Sequence, residues 1–196
     1  PSLTFSLMLA LVVVAGFESS TFVGGVTFAI ASLVAAPILF VTTSPGRRLR
    51  LAGTLAIAAL LVICLIAPFL RDQFATVAAR GGGSPLTISL YSVFGERFPN
   101  WIRRIMDVPG YWLLILPVEL PAVYFAGLLG LATALRNMKA GPERLAIFVF
   151  ACLAGAGLFV SWLLASTLGD NNDLGLRAII PVEIILIVVV AAVQTR

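Results

Sequence analysis

Nine residues, Gly169–Arg177, read Gly-Asp-Asn-Asn-Asp-Leu-Gly-Leu-Arg and lie between two apolar runs. They hold two carboxylates, two carboxamides and a guanidinium. Asp170, Asn171, Asn172 and Asp173 are hard oxygen donors, a set that would suit Mg²⁺ or Mn²⁺. An EF-hand calcium loop is excluded, because the acidic alternation and the distal glutamate are missing. Asp170 or Asp173 would serve as a general base or metal ligand. Arg177 would fork onto a phosphate or pair with Asp173, four residues before it. Gly175 would let the backbone turn or approach a ligand closely. The plainer reading is a polar turn, with Asp173 capping the next helix and Arg177 reaching the headgroups.

Two further sets of groups could do chemistry. Glu119 and Glu183 each close a Pro-Val-Glu tripeptide inside an apolar run. Charge at membrane depth is costly, so such acids line a cavity, carry protons or bond helix to helix. Arg103 and Arg104 follow Trp101 in Phe98-Pro99-Asn100-Trp101-Ile102-Arg103-Arg104-Ile105-Met106. Ile102, Ile105 and Met106 fall at helical spacing, so this stretch reads as a short interfacial helix. Its arginines would anchor at headgroups or hold an anionic lipid. The chain has no histidine, which excludes imidazole catalysis and imidazole metal ligands within it. Cys64 and Cys152 sit inside apolar runs without CxxC spacing and read as small core residues.

The elements that must position these groups follow from composition. The 196 residues are 60% hydrophobic and only 11% charged, against about 25% charged in soluble domains. Continuous apolar runs recur at about the 18 or more residues that cross a bilayer as a helix. Because they do not alternate, helices and not a barrel are expected. The expectation is an all-α, polytopic transmembrane helix bundle of about six spans. They are placed at 3–17, 21–42, 51–70, 111–135, 145–168 and 177–193. Span one is marginal, since 17 residues give about 25 Å of helix. Pro117 and Pro121 should kink span four. Arg71 to Pro109 is the one long loop; its Pro85–Phe94 stretch is apolar but too short to span.

Orientation follows from the basic residues. Arg47, Arg48, Arg50, Arg136, Lys139 and Arg144 crowd two short loops, which face the cytoplasm. Both termini then lie inside, and the long loop and Gly169–Arg177 share the outer face of a cell inner (plasma) membrane. The net charge of +4 sits at span ends and does not imply nucleic acid. The chain opens on Pro1, and its first run lacks the basic flank of a signal peptide. The expectation is a single transmembrane helical domain, 1–196, cut from a longer chain whose remainder would join it.

Asp170 to Pro181, DNNDLGLRAIIP, resembles a pattern in bacterial polytopic inner-membrane proteins. There an Asn-Asp-Leu-Gly-aromatic-Arg segment precedes a late transmembrane helix; Leu176 stands here in place of the aromatic. Many spans with outward polar loops also resemble, in architecture alone, glycosyltransferases of the GT-C class. That resemblance implies a polyprenyl-phosphate sugar donor and an acidic residue in an outer loop. No GT-C motif carries over residue by residue. Three readings stand. One is an enzyme acting on a lipid-phosphate-linked, anionic substrate, with Asp170 or Asp173 as base and Asn171, Asn172, Arg177, Arg103 and Arg104 binding substrate. One is a transporter or permease domain using Glu119 and Glu183. The third is a structural membrane subunit.

Overall fold

A computed structural model describes residues 3–79, 86–90, 92–94, 98–137, 141–166 and 173–194. The protein is all-α apart from one small ribbon. Its contacts divide it into two compact units, Pro1–Pro85 and Leu86–Arg196.

In the first unit, helix α1 spans Leu3–Ser19. A π-helical segment, Thr21–Thr27, leads into α2, Phe28–Thr42. The corner between them is made of backbone: a Cβ on Gly24 would run into the Gly16 carbonyl. A Cβ on Gly25 would meet the Phe17 ring at 2.5 Å. Small residues are what let membrane helices approach this closely. The fully buried Ser6 ties α1 to the next helix by donating from Oγ to the Thr54 carbonyl at 3.3 Å. That helix, α3, runs through Pro45–Ala79, 35 residues. At 1.5 Å per residue it is about 52 Å long, more than the roughly 30 Å of hydrocarbon. Its apolar middle therefore carries helical extensions at both ends. Arg71–Ala79, expected as loop, is the distal extension, because nothing helix-breaking intervenes before Gly81.

In the second unit, strand β1 (Leu86–Ile88) pairs antiparallel with β2 (Leu164–Ser166), in the register Leu86↔Ser166. Helix α4 covers Asn100–Gly110. It continues through a π-helical segment, Tyr111–Ile115, into the short α5, Leu116–Glu119. Pro109 has no N–H to give to the ladder, which accounts for the irregular turn just after it. Helices α6 (Pro121–Asn137), α7 (Pro142–Leu163) and α8 (Asp173–Gln194) pack together. Their core holds Tyr111, Leu116, Tyr124, Leu158, Val182 and Leu186. Gly127 lets α6 lie on α8: a Cβ there would sit 2.6 Å from Leu186 Cβ.

Among the described residues, three helices are long and apolar enough to cross a membrane: Gly24–Thr42, Pro45–Ala79 and Glu143–Leu163. A fourth span is formed if Asn100–Glu119 and Pro121–Asn137 count as one, across a bend of 111°. The expected kink between Pro117 and Pro121 is thus a full break. Leu120 sits at φ −126°, ψ 56°, outside the helical region, as the residue before a proline is driven to do. Large apolar side chains are widely exposed in both units, among them Leu33, Leu60, Leu129 and Ile184. Such a surface suits lipid and not water.

Candidate functional site

The end of α7, the β1–β2 ribbon and the end of α4 are linked in the second unit. Helix α7 ends at Leu163, where β2 begins. Strand β1 is thereby held against the end of α7, and the Ser89 N–H extends the ribbon to the Leu163 carbonyl at 2.9 Å. The Tyr111 hydroxyl donates to Ser161 Oγ at 2.7 Å, which brings the end of α4 to the same place. Ser161 Oγ in turn donates to the Leu158 carbonyl at 3.0 Å. Helix α8 starts seven residues after β2 and packs on it.

Asp173 is the first residue of α8, and Arg177 is exposed one turn further on. Asp170, Asn171 and Asn172 lie outside the described residues. Among the described residues, no cluster of acids and cysteines able to hold a metal ion is found. On α4, Arg104 is exposed and Arg103 is half-buried. Among the described residues, neither guanidinium has a hydrogen-bond or ion-pair partner. Glu119 is exposed at the break before α6, and Glu183 is half-buried on α8.

One residue the sequence did not single out organises this end. Asp107 is 4% exposed. Its Oδ1 accepts two backbone N–H bonds, from Val93 at 2.9 Å and from Phe94 at 3.0 Å. A buried carboxylate is tolerable only with such donors. The contact pins the segment after β1 to the inner side of α4. Gly110 allows it, since a Cβ there would meet the Phe94 ring at 2.9 Å. The donors to Asp107 are 13 and 14 residues away, beyond the reach of periodicity.

An aromatic cluster lies beside it. Trp112 stacks edge-on with Tyr111 at 5.9 Å and with Trp162 at 5.8 Å, and Phe159 joins Trp162 at 6.4 Å. Trp162 Nε1 is buried and finds no acceptor among the described residues.

The basic turn of the first unit is built differently. Arg48 donates from Nε to the Thr43 carbonyl at 2.9 Å and from Nη2 to the Val41 carbonyl at 2.8 Å. Its guanidinium also lies 5.9 Å from the centre of the Phe40 ring. Arg47 Nε donates to Ser44 Oγ at 2.9 Å. These arginines close the end of α2.

No protein-family model matches the chain, and no curated protein or solved structure matches it significantly.

Proposed function

We propose that this is a multi-pass protein of the cell inner membrane, of about six spans, that handles a lipid-phosphate-linked substrate at its outer surface. Its termini lie in the cytoplasm, a reading supported by the basic residues clustered at 44–50 and 136–144. The reaction class that suits the groups is a GT-C-like glycosyl transfer. Asp173 or Asp170 takes the acceptor proton; Arg103, Arg104 and Arg177 hold phosphate; Asn171 and Asn172 bind sugar hydroxyls. A divalent cation such as Mg²⁺ or Mn²⁺ would be held by the same acids.

One observation supports this reading most. The segment after β1 bonds Asp107 of α4, β1 pairs with β2 where α7 ends, and β2 packs on α8. Basic groups of α4 stand there without a protein partner among the described residues, beside exposed apolar surface. A phosphate on a lipid chain needs both.

The test is Asp173→Asn, with Asp170→Asn beside it, in the full-length protein assayed for transfer from a lipid-linked sugar. At least a hundredfold loss for one of them is expected, in line with general-base catalysis. Wild-type turnover in both would end the assignment. Retained turnover with loss in Glu119→Gln and Glu183→Gln would favour proton-coupled transport.

A further inference from the structure

The helical arm Asn100–Glu119 exposes large apolar side chains at intervals along its length, with Asn100, Arg104 and Glu119 as its exposed polar residues among them. Trp101, Ile105, Leu113 and Val118 are 67, 66, 68 and 77% exposed, and Val108 and Leu114 continue the stripe. The opposite side holds the buried Asp107, Gly110, Tyr111 and Leu116. A helix on a water-facing surface does the reverse and turns its apolar stripe inward. The exposed apolar side chains therefore need lipid from Trp101 to Val118.

The 111° bend at Leu120 says how that lipid is met. Helix α6 packs on α8, with Gly127 against Leu186, and is the part of the bent pair placed across the membrane. A bend of 111° leaves the arm 21° (111° minus 90°) from perpendicular to α6. Membrane helices tilt by about 20° from the normal, enough to bring the arm level with the bilayer plane. Helix α6 alone, 17 residues or about 25 Å, covers most of the hydrocarbon. It ends on Arg136 and Asn137, a polar terminus at the opposite surface.

We infer that the arm Asn100–Glu119 lies flat in the membrane–water boundary of the bilayer that the chain spans, with Glu119 at the headgroup layer and not in the membrane interior. The interfacial element is thus a full 20 residues, reaching past Met106 into the stretch expected to begin span four. Arg104 beside Trp101 faces anionic headgroups along one flank. Asp107 and the Tyr111–Ser161 bond fasten the arm to the bundle end. The inference rests on the membrane reading and not on any enzymatic one.

Depth measurements test it. Ile105→Cys, Leu113→Cys, Val118→Cys and, as a control in α7, Val149→Cys are made in a full chain carrying Cys64→Ala and Cys152→Ala. Each is nitroxide-labelled in vesicles of phosphatidylethanolamine and phosphatidylglycerol. Oxygen and nickel-chelate accessibilities then report depth. The three arm labels are expected within about 5 Å of one another, one helical turn, near the glycerol level. A steady gradient of about 20 Å from 105 to 118 would mean a crossing arm and overturn the inference. So would full nickel-chelate access at all three, which would place the arm in water. Water access at Val149→Cys too would bring down the membrane reading itself. A second variant, Glu119→Cys, should react with a membrane-impermeant maleimide added outside; protection of that thiol by the bilayer would contradict a surface Glu119.

Discussion

Arg48 and Arg104 sit on helices of different character, a long apolar span and a short amphipathic helix, and serve different purposes. At the turn between α2 and α3, Arg48 bonds two carbonyls and covers an aromatic ring. Its charge is consumed in ending one helix and starting another. On α4, Arg104 is exposed and Arg103 half-buried, and neither has a partner among the described residues. The polar interaction that fastens α4 comes instead from Asp107. In one unit the arginines are the structure; in the other a carboxylate holds the structure and leaves the arginines to face outward. A count of basic residues treats both regions alike, and only the partners separate them.

Asp107→Ala should have the largest effect on stability. It strands two half-buried N–H donors, and each bond to a charged acceptor contributes about 1.5–3 kcal/mol. Thermal unfolding in detergent should show a clear loss, with Asp107→Asn intermediate because it keeps an acceptor oxygen without the charge. Gly127→Ala comes next. Its Cβ would press on Leu186, and overpacking of this kind costs about 1–3 kcal/mol. Gly155→Ala, with nothing within 4 Å, is the matched control and should cost nothing or gain up to about 1 kcal/mol, because alanine replaces a mid-helix glycine.

Arg48→Ala should lose about 1–2 kcal/mol, two exposed or half-exposed bonds to carbonyls. Arg104→Ala should leave the unfolding temperature unchanged, since it removes no protein contact. If Arg104→Ala destabilises as much as Arg48→Ala, the contrast between the two regions is broken. Tyr111→Phe should lose about 1 kcal/mol, one neutral hydrogen bond.

Much of this architecture is legible in the amino-acid order. Apolar run length announces membrane-crossing helices, and Pro117 and Pro121 mark the break in the fourth run. The marginal first run appears as a 17-residue helix. What is not legible depends on distant partners. The β1–β2 pairing joins residues about 78 apart, and three-residue strands leave no periodicity to read. The helical state of Arg71–Ala79 follows from continuity with the span before it, which a window tuned to hydrophobicity discards. Asp107 has no sequence signature, because its donors are backbone N–H groups that every residue carries. Of the candidate site, Arg103, Arg104, Asp173 and Arg177 are placed, whereas Asp170, Asn171 and Asn172 fall outside the described residues.

The central claim is that the arginines of α4 serve a lipid-borne anion while those of the α2–α3 turn serve the fold. It is tested most directly by measuring retention of a polyprenyl phosphate on the purified full chain by native mass spectrometry. Arg103→Ala with Arg104→Ala should lower retention at least tenfold and leave the unfolding temperature in place. Arg47→Ala with Arg48→Ala should lower the unfolding temperature and leave retention in place. Equal retention in the two double variants, or loss confined to the turn, would contradict the claim.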